Sequence, residues 1–338
     1  MLTDSNKAYS CERDAAIDVA RGIALLLMVI GHLGIKKWPI QYIYAFHMPL
    51  FFMLSGMTIR KTSHFKDYFI KRIRRLLIPY ILFAAIYSLP GAKYWALDLY
   101  GSRGSLYAAA SLTPLWFLPA LFVADVLFQI MLQICRKKVT TTRTDIYVYI
   151  SVESAIFGAL GVLLASYKIF NIGWPFGIEI ALIAMPFIAI GWIIKEHFHS
   201  WGGVFRIIGM IVMLSISLFL YRFNLPPSVT EGFNHVEMSI GSCGNILLFY
   251  LNAVTGSVGV IMLASLICRA AFLRELGKCT LSCLVTHGFI ISSVYGILNR
   301  VGIPLGVSSL IAFICVLVLI YPIQKILEGF APNLIGKW

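Results

Sequence analysis

Apolar runs of roughly 20 residues, each long enough to cross a bilayer as a helix, recur from one end of this 338-residue chain to the other. No soluble domain-sized segment separates them. Hydrophobic residues make up 59% of the chain and charged ones 13%, a composition that excludes an ordinary soluble enzyme. The runs define ten expected spans: 15–35, 41–59, 75–90, 113–134, 146–167, 175–194, 204–221, 245–267, 279–298 and 306–327. The expected fold is an all-α integral membrane protein. About ten transmembrane helices form one bundle and one domain over 1–338, with short tails at 1–14 and 328–338.

Orientation follows from the positive charges, which concentrate in cytoplasmic loops. With the N-terminus inside, only Lys36, Lys37, Lys93, Arg103, Lys168, Arg222 and Arg300 of the 28 Lys and Arg residues fall away from the inner face. Both termini are therefore expected in the cytoplasm, and the chain in the cell inner (cytoplasmic) membrane. The net charge of +13 is this asymmetry, helped by attraction to anionic membrane lipids. It does not imply nucleic acid, which would need a continuous basic face on a soluble element. The N-terminal tail lacks a small-residue cleavage site before a short apolar core, so the first helix reads as retained rather than as a signal peptide. The 7 cysteines suggest packing rather than disulfides or a metal site, because only Cys243 falls in an expected outer loop.

Within this apolar background, the first span carries Arg21 and His32. A charge at mid-membrane costs roughly 2.5–3.5 kcal/mol on insertion scales, which makes an ionisable residue there a functional candidate. Eleven helical steps bring the two side chains to one face, about 16 Å apart along the axis. Asp18, three residues before Arg21, is placed to neutralise it. His32 reads either as a general base or as a buried histidine bonded to a neighbouring helix.

The loop RKTSHFKDYFIKRIRRLLIPY, residues 60–80, places Arg72 and Arg75 on one side of a helix end. It reads as a positive-inside anchor or as a guanidinium pair that grips phosphates. His47 either lines a tunnel or packs between helices. Ser55 and Gly56 permit close helix approach, with Ser55 a candidate donor to a ligand oxygen. Asp125 and Glu153 are intramembrane acids without an assignable partner. The outer loops 91–112, with Asp98 and Arg103, and 222–244, with Glu231, His235 and Glu237, carry aromatics that suit either a sugar site or the membrane interface.

Arg21-x10-His32, FHMPLFFMLSG (46–56), Arg72-x2-Arg75, LWFLPALF (115–122) and THG (286–288) together resemble the membrane acyltransferase family 3 across essentially the whole chain. Its fucose 4-O-acetylase-like branch is the most similar. Met57 departs from the Tyr that the family often has after Ser55-Gly56. The resemblance implies transfer of an acyl group, usually acetyl from cytosolic acetyl-CoA, to a hydroxyl of a cell-surface or exported glycan or lipid-linked sugar. Acetyl-CoA is the donor substrate, and neither a bound cofactor nor a metal is expected.

The residues suit that chemistry. Arg72, Arg75 and Arg21 would hold the phosphate end of an acyl-CoA at the inner face, and Ser55 would meet the thioester. The Arg21–His32 offset is comparable with the reach of a pantetheine arm. His32 would take the proton of a sugar hydroxyl as it attacks the thioester, a role worth about 10²–10⁴-fold. Glu179, in a segment similar to one that commonly carries an acid in the family, would orient His32 or bind the acceptor. Asp18, His47, Trp116 (a cavity wall) and His287 (a late helix contact or site residue) are expected to support the site. The alternative is a multispan transporter or flippase for a lipid-linked saccharide; such proteins are often built from repeated halves, and no internal repeat is visible here.

Overall fold

The computed structural model describes residues 4–35, 38–60, 64–88, 100–101, 113–138, 142–167, 173–227 and 233–336, with side chains from Asp14 onward other than those of Ser88, Thr113, Lys137 and Lys138. Most of the expected outer loop 91–112 (Asp98 and Arg103 included), Glu231 of the second outer loop, and the basic residues Lys36, Lys37, Lys61, Lys93 and Lys168 lie outside the described residues.

The described residues are helical almost throughout. In chain order the helices are α1 (Asp4–Gly31), α2 (Trp38–Tyr44), α3 (His47–Thr58), α4 (Phe65–Arg72), α5 (Ile78–Ser88), α6 (Phe117–Lys138), α7 (Arg143–Ser166), α8 (Ile178–His197), α9 (Gly203–Leu220), α10 (Ile246–Leu266), α11 (Ala271–Lys278), α12 (Thr280–Arg300) and α13 (Leu305–Phe330). Seven of them, α6 to α10, α12 and α13, are long and apolar enough to cross a membrane. They coincide with the last seven of the ten expected spans.

The first three expected spans are helical but irregular, and each irregularity has a local cause. In 15–35, α1 carries Asp14, Asp18 and Arg21 inside its apolar run. The stretch 41–59 divides at Ala45–Phe46, because Pro49 falls in the first turn of α3. There its missing N–H costs nothing, whereas further inside a helix it would break the bonding. The stretch 75–90 starts inside a π-helical turn, Ile73–Leu77, that joins α4 to α5.

The chain divides into two compact units. One comprises Met1–Leu54, Ile194–Glu237 and Cys243–Gln324; the other comprises Ser55–Ile193, Met238–Ser242 and Lys325–Trp338. In the first unit α1 is the central element. It buries Val19, Ala20, Ala24, Leu25 and Val29 and lies directly against α11, where a Cβ on Gly22 would strike the Leu273 carbonyl and one on Gly277 would strike that of Asp18. Small residues permit that backbone approach, as they do between helices in membranes. By contrast α9 leaves most of its apolar side chains uncovered, Ile207, Ile208, Ile211 and Phe219 among them, as suits a lipid-facing helix.

In the second unit α6 and α8 are the buried helices, and Ala120, Ala124, Phe128, Ile183 and Phe187 are fully covered. Gly56 meets the Ile188 carbonyl so closely that no Cβ would fit, the close approach expected of Ser55-Gly56. Thr142 caps α7 by accepting from the Asp145 N–H at 3.2 Å, which satisfies one orphan donor of that helix.

Candidate functional site

In the first unit, α1 ends at Gly31 and His32 sits in the tightened turn beyond it, its N–H donating to the Val29 carbonyl at 3.1 Å. The turn is anchored one residue on, where the Leu33 carbonyl accepts from Tyr295 Oη at 2.6 Å and from Ser309 Oγ at 3.2 Å. His32 Nδ1 lies 2.7 Å from the Met28 carbonyl. A carbonyl can only accept, so Nδ1 carries a proton, and in the neutral form of the ring the lone pair lies on Nε2. Arg21 pairs with Asp18 at 3.2 Å, the neutralisation expected from their spacing.

Around His32 lies a cluster of rings. The His287 ring meets that of His32 edge-on at 4.9 Å between centroids, and the Tyr44 ring lies 6.5 Å away. Tyr44 in turn meets His47 at 5.2 Å and His235 at 4.6 Å. The other three histidines are fixed as His32 is: His47 Nδ1 against the Ile43 carbonyl at 2.8 Å, His235 against Phe233 at 2.8 Å and His287 against Cys283 at 2.7 Å. In each of the four, Nδ1 therefore carries a proton, and Nε2 is the acceptor in the neutral form of the ring. For His235 and His287 that nitrogen is buried without a hydrogen-bond partner. Among the described residues no group of three or more His, Cys, Asp or Glu side chains is placed to hold a metal ion.

The second unit holds a charge network. Arg72 Nε lies 3.3 Å from Asp125 Oδ2, Ser55 Oγ donates to Asp125 Oδ1 at 2.8 Å, and the Arg72 guanidinium sits 5.0 Å above the Tyr68 ring. The Tyr68 hydroxyl donates to the Asp125 carbonyl at 3.4 Å. Asp125 is thus the partner that the sequence did not supply, and Ser55 commits its hydroxyl proton to that carboxylate. The sequence puts Arg72 and Arg75 on one side of a helix end. In the structure Arg72 turns inward onto Asp125, with 16% of its side chain exposed, while Arg75 remains exposed. The π turn that starts at Ile73 explains the split, because its wider bonding changes the helical spacing between the two.

Glu179 lies in the first turn of α8, behind a tight reversal in which Gly173, Phe176 and Gly177 all have positive φ, 54° at Phe176. A bulky residue in that region is strained and persists only where its surroundings enforce it. Here Tyr100 Oη donates to the Gly173 carbonyl at 2.9 Å, and Trp174 Nε1 donates to the Leu164 and Tyr167 carbonyls at 3.0 Å each. Glu179 Oε1 accepts from the Trp174 N–H at 3.3 Å, and its Oε2 is buried without a hydrogen-bond partner. Within the first unit the His32 ring is held by the Met28 carbonyl. Trp116 is buried in the 3-10 turn that precedes α6, its ring edge-on to Phe117 at 5.9 Å.

Sequence reasoning missed Tyr44, Tyr68 and the Asp125 pairing. An acid in the otherwise apolar run of α6 was the available signal for the last of these.

The helices and these buried polar clusters define a multi-pass membrane protein built around ionisable groups. The acyltransferase domain model of acyltransferase family 3 matches residues 14–323, and the chain belongs to that family. A curated relative, the nodulation protein NolL of Mesorhizobium japonicum, is 27% identical over 227 residues, which cover 62% of this chain and 55% of that protein. The chain thus matches about half the length of that relative. No solved structure matches the chain.

Proposed function

We propose that this protein is a membrane O-acyltransferase that moves an acetyl group from cytosolic acetyl-CoA to a hydroxyl of a cell-surface or exported glycan, with His32 as general base. The observation that carries the reading is the 2.7 Å contact between His32 Nδ1 and the Met28 carbonyl, which leaves Nε2 as the basic nitrogen. The acceptor hydroxyl gives its proton to Nε2 while its oxygen bonds to the thioester carbon. The carbon–sulfur bond then breaks, CoA leaves as the thiolate, and His32 returns the proton to that sulfur. Membership of an acyltransferase family favours this chemistry over the transport of a lipid-linked sugar.

In this reading the exposed Arg75 meets the CoA phosphates first, and Arg72, held by Asp125, supports the same end of the donor. Arg21, paired with Asp18, adds positive charge at the inner end of α1, and Ser55 acts through the carboxylate it holds. Glu179 offers its buried Oε2 to the acceptor. The ring cluster of Tyr44, His47 and His287 limits the orientations of His32, and Trp116 closes part of the cavity. The proposal includes a single acyltransferase domain over 1–338, ten membrane crossings with both termini cytoplasmic, and residence in the inner membrane.

The test is acetyl transfer from labelled acetyl-CoA to surface glycan in membranes, with wild type and His32→Ala at equal expression. Acetylated glycan in wild type alone is the expected result. Glycan movement across the membrane without acetylation in either sample would overturn the reading in favour of transport.

A further inference from the structure

We propose that Gln129 and Asp125, one turn apart on α6, form a binding site for the amide groups of the pantetheine arm of the acyl donor. The inference rests on the acyl-CoA reading above and adds to that site Gln129, which the sequence did not mark.

Gln129 is fully buried, and neither its Oε1 nor its Nε2 has a hydrogen-bond partner. Asp125 is fully buried as well, and its Oδ2 receives no hydrogen bond. Arg72 Nε lies 3.3 Å from that oxygen, close enough to pair charges but off the hydrogen-bonding direction. Residues four apart on a helix share a face, so one side of α6 presents two acceptors and one donor without a hydrogen bond, of which Asp125 Oδ2 has only the off-axis ion pair with Arg72. Each is a standing cost to stability, because buried polar groups in folded proteins are as a rule bonded. An apolar residue at 129 would remove the part of that cost due to Gln129.

The unused set has a specific chemistry. A donor and an acceptor on one side chain, with a further acceptor a turn away, complement a chain of secondary amides. Each amide of such a ligand offers one N–H and one carbonyl. The pantetheine arm carries two such amides between the phosphates and the thioester. A bare hydrocarbon chain would leave all three atoms without a hydrogen bond, and a phosphate would meet the Asp125 carboxylate with like charge. Gln129 would donate to one amide carbonyl and accept from an amide N–H, while Asp125 Oδ2 would take the other N–H. Both side chains are covered in this structure, so the neighbouring side chains must part to admit the arm.

The experiment measures binding, with full-length protein in lipid nanodiscs and two probes: acetyl-CoA, and S-acetylpantetheine, which has the amides but no phosphate. Gln129→Met keeps the length and lack of branching of the side chain while removing both amide atoms. The expected result is a higher melting temperature together with affinity at least 10-fold weaker for both probes. Gln129→Leu, a second apolar replacement, should behave alike. Arg75→Ala should weaken acetyl-CoA alone. Unchanged binding of both probes by Gln129→Met would overturn this inference and leave the donor assignment intact, with a buried water then satisfying the amide. Weakened binding of acetyl-CoA alone would also overturn it. If wild type binds neither probe, the donor assignment itself fails and this site falls with it.

Discussion

The ring cluster of the first unit and the charge network of the second solve the same problem, polar groups inside an apolar protein, in opposite ways. Each histidine of the cluster is held by its own stretch of chain: His32, His47 and His287 bond the carbonyl four residues back, and His235 the one two back. Removing one ring leaves the backbone bonds of the others intact. The network around Asp125 joins groups distant in sequence: Ser55 and Arg72 depend on the same carboxylate, and Tyr68 donates to the backbone carbonyl of that residue. Local fixation supplies groups that can be tuned one at a time. The shared carboxylate supplies a unit that stands or falls together.

That contrast can be broken by substitution. The largest effect is expected at His32. His32→Ala should lower the transfer rate by about 10²–10⁴-fold with little change in melting temperature, measured on the same preparation. A large loss of stability would show that the ring is structural and that the cluster is not locally held.

Next comes Asp125→Ala, which strands Arg72 and should cost about 3 kcal/mol of stability, followed by unfolding in mixed micelles. Asp125→Leu combined with Arg72→Met should recover most of that loss. If the double variant is no better than the single one, the pair is not a unit. Ser55→Ala should cost about 1–2 kcal/mol, and less than additively with Arg72→Met, because both act on one carboxylate. Smallest is Thr142→Ala, which removes the cap of α7 at about 1 kcal/mol and should add to Ser55→Ala without coupling. Coupling between those two would erase the distinction between local and shared contacts.

The same distinction explains what the sequence disclosed. Hydropathy and length located the seven long helices, and the three-residue spacing of Asp18 and Arg21 was enough to expect their ion pair. The N-terminal spans were harder to read because their breaks are made by Pro49 and by the π turn, which a count of apolar residues does not register. The partner of Arg72 lies 53 positions away, on α6, so no local pattern could name Asp125. The carbonyl that meets His32 Nδ1 is backbone and carries no sequence signal beyond its position four residues back. Gln129 was passed over because one amide in an apolar helix looks tolerable until its lack of partners is known.

The π turn at Ile73–Leu77 has one further consequence. Wider bonding there accommodates more chain than an α-helical path would, so deleting a single residue from this stretch would allow an ordinary helix to run from α4 into α5. With the residue count unchanged, α-helical bonding through this stretch would instead turn everything downstream by about 100°. Either Arg72 would leave Asp125, or the buried Tyr80, whose hydroxyl would lie 3.3 Å from a Cβ on Gly101, would turn out of its place. The number of residues here acts as a phase setting between two faces of one rod. Substitutions at Ile73, Arg74 or Leu77 should be tolerated far better than a further insertion.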